Sequence, residues 1–182
     1  MSRIAPLDLA SLTAEQRRVH DAIASGPRGR VEGPLRVWLE SPALADRAQA
    51  LGAFCRYQTS LEPRLSELAI IVTGAFWRAG FEWFIHAPLA EQAGIPAAAI
   101  AAIHEDRAPV FERDDEDAVF VLTRELLTTR RVTDATYARA KAILGERGVI
   151  DLVGIVGYYG LISLTINAFE VEVPAPHRDP FA

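Results

Sequence analysis

Apolar positions along this chain recur at intervals of three and four residues, and no stretch alternates cleanly between apolar and polar with turn residues on both sides. Such a period puts one apolar stripe on each helical segment, so the pattern predicts an all-α protein of seven or eight helices. Thr13 and Gln16 fit a capping box, with Leu12 as a staple, and open a helix from about Ala14 to Ser25. The Gly- and Pro-rich stretch 26–34 is a loop by composition. Ser41-Pro42 opens the next helix, with Leu44, Ala48, Leu51, Phe54 and Cys55 at helical spacing. Pro63 opens another, with Leu65, Leu68, Ala69 and Val72 on one stripe, and Ile95-Pro96 precedes a short Ala-rich helix over 97–104. Asp114 to Leu127 carries acids at its positive N-terminal end. Thr133-Asp134 caps a helix expected to end near Glu146-Arg147-Gly148, with Gly148 as its C-terminal cap, and Asp151 starts a strongly apolar last helix. From Val171 onward, Pro174, Pro176 and Pro180 exclude a helix, so the tail 171–182 is expected to wrap a surface.

Composition narrows this picture. With 182 residues, half of them hydrophobic, the chain is expected to form a single domain over 1–182, with its core at about 13–170. The net charge is -5 and Lys141 is the single lysine, with no basic run, so no nucleic-acid partner is expected. The stretch Leu152–Phe169 is near the lower length limit for a membrane span, but it carries three Gly, two Tyr, Ser, Thr and Asn. It reads as a buried core helix, and no membrane partner is expected. The start, Met1-Ser-Arg-Ile-Ala-Pro, lacks a charged region followed by an apolar one, so a cytoplasmic protein is expected. Cys55 is the single cysteine, which rules out an intrachain disulfide, a Cys-x-x-Cys redox centre and a thiolate zinc site.

The segment from Pro63 to Ile95 holds Glu67, Glu82 and His86 in an otherwise apolar setting. Glu82 and His86 are spaced i, i+4 and share a helix face, with Trp83 and Phe84 beside them. A carboxylate next to an imidazole among aromatics is a common way to tune a general acid or base. The same spacing also fits an ordinary structural pair on a helix surface. No third ligand is apparent nearby, so neither a metal nor another cofactor is expected.

The run resembles the core motif of the carboxymuconolactone decarboxylase and alkylhydroperoxidase D superfamily. That motif has a Glu, a Cys-x-x-Cys twelve and fifteen residues later, and a His nineteen residues after the Glu. Glu67 and His86 stand at its Glu and His positions, while Ala79 and Glu82 stand where the two cysteines would be. Residues Ala87–Ala90 and Ala93–Ile95, and upstream Gly33-Pro34, Trp38, Ser41-Pro42 and Leu51-Gly52, are similar to the surrounding domain. The resemblance covers about residues 13–170 and implies an oligomeric helical bundle: a dimer, trimer or hexamer. It also implies a break between Glu67 and His86. On one continuous helix the two would be roughly 28 Å apart, at about 1.5 Å per residue. Arg78-Ala79-Gly80 is the expected place, because Gly80 weakens helix there.

Without the cysteine pair there is no thiolate to attack a peroxide, so peroxidase activity, the superfamily's other chemistry, is not expected. Cys55, on an apolar stripe, reads as packing. The expectation is a decarboxylase-like lyase or isomerase acting on a small organic acid or lactone. His86 moves the proton, Glu82 orients it and Glu67 supports it. Trp83, Arg36, Trp38, Arg78 and Tyr158 are candidate substrate-binding residues, the arginines as carboxylate partners. Tyr159 is an alternative to Tyr158, Asn167 needs hydrogen-bond partners inside its apolar helix, and His20, His104 and the tail residue His177 read as surface residues. A non-catalytic helical ligand-binding or assembly protein that keeps the pocket is the other reading.

Overall fold

Eight helices and no strand are present among the described residues, 2–5 and 8–182, in this computed structural model. Met1, Pro6 and Leu7 lie outside that set, the first two within the start read above for a leader. The helices are α1 (Ala14–Ala24), α2 (Pro34–Trp38), α3 (Pro42–Tyr57), α4 (Pro63–Phe76), α5 (Gly80–Gln92), α6 (Ala97–His104), α7 (Asp114–Thr129) and α8 (Asp134–Phe169). The architecture is the all-α bundle that the apolar spacing predicts.

Local chemistry accounts for most of the helix starts. Thr13 Oγ1 accepts the Gln16 N–H at 3.2 Å, and Gln16 Oε1 accepts the Thr13 N–H at 2.9 Å, which closes the capping box of α1. Proline stands in the first turn of α2, α3 and α4, where its missing N–H leaves no helical bond unmade. The short α2, which follows directly on the loop 26–34, is a helix that the sequence reading did not identify.

The end of the 134–148 helix needs correction. Gly148 is buried inside α8 and caps nothing; the break falls at Gly145, with φ 75° and ψ 168°. A side chain there would meet no neighbour, so glycine serves the backbone conformation rather than packing.

α4 is the centre of the bundle. Leu68, Ala69, Ile70, Ile71 and Val72 are all buried, the mark of a helix enclosed on every side. α3, α5, α6, α7 and α8 all pack against it. α8 lays Leu152, Ile155, Tyr158, Tyr159, Ile162 and Ile166 into the same core. It is long and apolar enough to cross a membrane by length and composition, and most of its apolar window is buried in the bundle. Trp38 Nε1 donates to Thr165 Oγ1 at 3.0 Å and fixes α2 on α8.

α4 and α7 are joined by a largely buried ion cluster. Arg64 donates through Nη1 to Glu116 Oε1 at 2.6 Å and through Nη2 to Asp115 Oδ2 at 2.8 Å. The Arg64 guanidinium holds the Asp115 carboxyl well below the usual carboxylate range. The Glu116 side chain is only 3% exposed, so its charge depends on this partner. Arg64→Ala is therefore expected to destabilise the fold by roughly 3–5 kcal/mol, read from urea unfolding monitored by tryptophan fluorescence.

Candidate active site

The polypeptide reverses direction between α4 and α5, and that reversal assembles the site. α4 ends at Phe76, Arg78 adopts a left-handed φ of 49°, and α5 begins at Gly80. The Ala79 N–H reaches back to the Gly74 carbonyl at 2.9 Å and closes the end of α4. Glu67, on α4, is thereby brought against His86, on α5: Nδ1 of the ring donates to Glu67 Oε2 at 2.6 Å. On the other side of the ring, Nε2 lies 3.0 Å from Glu82 Oε1. That second approach has ion-pair distance without hydrogen-bond alignment, and Glu82 Oε1 is left buried with no hydrogen-bond partner.

The imidazole is thus enclosed by two carboxylates, and its own side chain is only 4% exposed. Burial pushes the ring toward the neutral form. The charge of Glu82 and the bond to Glu67 outweigh it and raise the pKa to about 9. The two carboxylates thus favour the imidazolium form of His86, with Nδ1 tied to Glu67 and Nε2 facing Glu82.

Glu82 and His86 line a cavity of about 480 Å³. Phe81, Phe84, Ile85 and Leu89 from α5, with Tyr158, Tyr159 and Ile162 from α8, form its apolar walls. Arg28 and Arg30 of the 26–34 loop and Arg56 of α3 bring positive charge to it. Arg28 Nη2 makes a long contact of 3.4 Å with the Tyr158 hydroxyl, and Arg28 Nε is buried without a partner. The Tyr159 hydroxyl is likewise buried and unpartnered, while its ring stands edge-on to His86 at 5.3 Å. Burial and the Glu82 charge push Tyr159 well above the ordinary phenol range, and burial pushes Tyr158 up to about 12, so both remain neutral donors. The Arg28 Nε–H and the Tyr159 hydroxyl therefore lack hydrogen-bond partners around one cavity, where Glu82 Oε1 has only the ion-pair approach of His86 Nε2. Gly52 makes room for this arrangement, since a Cβ there would collide with both the Tyr158 hydroxyl and the Arg28 guanidinium.

Of the sequence candidates, Glu82, His86 and Tyr158 line the cavity, and Glu67 sits behind the ring. Four others lie elsewhere. Trp38 is held in the core by Thr165. Arg36 lines a separate cavity of about 400 Å³ between the two chain ends, divided from the first by Phe81. Trp83 and Arg78 anchor the C-terminal tail: the Phe181 ring packs edge-on to Trp83 at 5.6 Å, and Arg78 Nη2 donates to the Phe181 carbonyl at 2.6 Å. The tail engages His104, read as a surface residue, and carries His177, which is exposed as expected. His104 stacks on Phe181 at 4.8 Å and donates from Nε2 to the Pro180 carbonyl at 3.1 Å, and His177 packs on Phe84 at 4.8 Å. Asn167 donates to the Trp77 carbonyl at 2.7 Å.

Arg28, Arg30 and Arg56 were missed. The one available signal was a basic Pro-Arg-Gly-Arg run inside a loop, and nothing local says which way such a loop folds. Cys55 does not line the cavity; it is buried in α3, and burial together with the Asp151 charge pushes its thiol up to about 11.

No protein-family model and no curated protein matches the chain. Solved structures do match in fold. One is the debrominase Bmp8 crystallised, with one cysteine replaced by alanine, in complex with 2,3,4-tribromopyrrole. It is 13% identical, with a TM-score of 0.75 over 96% of this chain and 95% of that one. A peroxidase-related protein from Silicibacter sp. TM1040 is 11% identical, with a TM-score of 0.77 over 100% and 96% of the two chains. A peroxidase-related protein with an alkylhydroperoxidase AhpD core, from Ralstonia eutropha JMP134, is 13% identical, with a TM-score of 0.76 over 96% and 93%. The fold is that of the AhpD-like helical bundles.

The raised pKa of His86 has a consequence for stability. Its folded value of about 9 exceeds the ordinary 6.5, so the carboxylate cage stabilises the fold fully below pH 6.5. That contribution falls away as pH rises through about 9. The His86 ring resonances are expected to stay in the imidazolium position through pH 7 in NMR titration. Unfolding free energy is expected to fall between pH 6.5 and 9, and His86→Gln to flatten that slope.

Proposed function

We propose that this chain is a cofactor-free acid–base enzyme, a lyase or isomerase acting on a small organic acid or lactone. The observation that carries the reading is the His86 imidazole held between Glu67 and Glu82 at the wall of a cavity that also presents an unpartnered Arg28 Nε–H. A buried cation between carboxylates, with one nitrogen tied and the other facing an unsatisfied oxygen, is suited to handing a proton to a bound molecule. Arg28 receives a substrate carboxylate or lactone oxygen, and the neutral Tyr159 hydroxyl offers a second donor to developing negative charge.

In a decarboxylation the C–C bond to the carboxylate breaks and carbon dioxide leaves. The electron pair is taken up by a conjugated carbonyl, and the proton from His86 Nε2 is delivered to carbon. His86 then regains a proton from solvent. Isomerisation uses the same groups, with Glu82 taking a proton from one carbon and His86 returning one to another.

Two further points support this reading. The volume of about 480 Å³ and the aromatic walls suit a small planar ring, and Bmp8, of the same fold, was crystallised with 2,3,4-tribromopyrrole. The buried Cys55 offers no thiolate to the cavity, which sets the reading apart from thiol peroxidase chemistry.

The test is a screen of carboxylated lactones and unsaturated acids, followed by kinetics on any that turns over. His86→Ala and Glu82→Gln are each expected to lower kcat by about 10²-fold or more, and kcat of the unsubstituted protein to fall as pH rises through about 9. Undiminished turnover in both variants would overturn the assignment.

A further inference from the structure

The residues that follow α8 return to α5 and grip it on both sides of Glu82. The Asp179 carboxylate lies over Gly80, where a Cβ would collide with it. The Phe181 ring meets Trp83 edge-on at 5.6 Å, and His177 packs on Phe84 at 4.8 Å. Gly80, Trp83 and Phe84 are, with Glu82, among the opening residues of α5. Gly80 and Trp83 do not line the cavity, so this grip acts largely from outside it.

The segment is itself anchored at several points. The Phe181 N–H donates to Asp179 Oδ1 at 2.8 Å, which joins the two residues into one unit. The Phe181 ring stacks on His104 of α6 at 4.8 Å, and the Pro180 carbonyl accepts from His104 Nε2 at 3.1 Å. The Phe181 carbonyl accepts from Arg78 Nη2 at 2.6 Å, and the Arg78 guanidinium stands 5.3 Å from the ring centre.

These contacts matter because the start of α5 is weak by itself. Its N-cap residue, Ala79, has no side chain to take up the free N–H groups, and Gly80 is a poor helix former. Arg78 holds a left-handed φ of 49°, which an arginine adopts at a cost. The tail offsets both. Asp179 sets a negative charge at the positive end of the helix, and the Phe181 carbonyl holds the Arg78 side chain. Glu82 lies in that same first turn, with its carboxylate 3.0 Å from His86 Nε2. Glu67, which holds the other ring nitrogen, comes from α4.

We propose that residues 177–181 are a positioning strap, in which Asp179 and Phe181 hold the first turn of α5 so that Glu82 stays against His86. The strap rests on the reading of Glu82 and His86 as the reacting pair, and neither strap residue lines the cavity.

NMR titration of His86 in the full chain tests this without a substrate. Burial lowers the His86 pKa, and the Glu82 charge leads the groups that raise it to about 9, so withdrawing Glu82 lowers it again. Phe181→Ala is expected to bring the titration down by about one unit or more, with unchanged helical circular dichroism. Phe181→Tyr, which keeps the ring, is expected to titrate like the unsubstituted chain. Gly80→Ala is the sharper variant. Alanine favours a helix more than glycine does, so local propensity predicts a firmer first turn and no fall. The strap predicts a fall, because the added methyl displaces the Asp179 carboxylate. In an Asp179→Ala background the same substitution is expected to have no further effect. An unshifted titration in either Phe181→Ala or Gly80→Ala would overturn the proposal, and so would an equal fall in Phe181→Tyr. If Phe181→Ala loses its helical signal, Gly80→Ala decides alone. A substrate screen that finds nothing would count against the proposed reaction and not against the strap.

Discussion

The enclosure of one imidazole by two carboxylates is the interaction on which the rest of this site depends. Three ionisable side chains in a largely apolar region would be costly to bury separately. Together they carry a single net negative charge, and the Glu67–His86 bond at 2.6 Å offsets part of the desolvation. The arrangement leaves an asymmetry: Nδ1 is bonded in good geometry, whereas Glu82 Oε1 is close to Nε2 and still unsatisfied. Buried polar atoms without partners are uncommon, and those at Glu82, Arg28 and Tyr159 border the same cavity.

Around that cage the fold acts mainly as a positioning device. The left-handed turn at Arg78 sets α5 against α4 and is braced by the C-terminal tail, whose Phe181 carbonyl accepts from the Arg78 guanidinium. The Asp179 carboxylate occupies the space over Gly80, so a side chain at the start of α5 would have to displace it. The tail therefore acts on the site at second hand. It fixes the first turn of α5, which bears Glu82, and rests His177 on Phe84 at the cavity wall. α8 closes the opposite wall with two neutral tyrosines.

Much of this was legible along the chain, for local reasons. Capping boxes and helix-starting prolines act within a few residues, so Thr13, Pro42 and Pro63 announce their helices without reference to anything distant. The i, i+4 spacing of Glu82 and His86 is local in the same sense. The break at 78–80 and the approach of Glu67 were accessible only because a glycine stood where the spacing of the resembled motif required a turn. Gly148 misled, because a glycine near the end of a periodic stretch is the usual capping signal. Only the backbone torsions show that Gly145 makes the break.

By itself the sequence determined the helical class, the occurrence of Glu67, Glu82 and His86 within one apolar segment, and the absence of a thiol pair. Each follows from residue identity and short-range periodicity. The tertiary structure decided which side chains share the cavity. It brought Arg28, Arg30 and Arg56 to it from segments far apart in sequence, sent Arg36 to a separate cavity and Trp38 into the core, and gave Trp83 and Arg78 to the tail. The protonation state of His86 belongs to the same class of fact, because burial and the distance to two carboxylates set it, and neither quantity exists before the chain has folded.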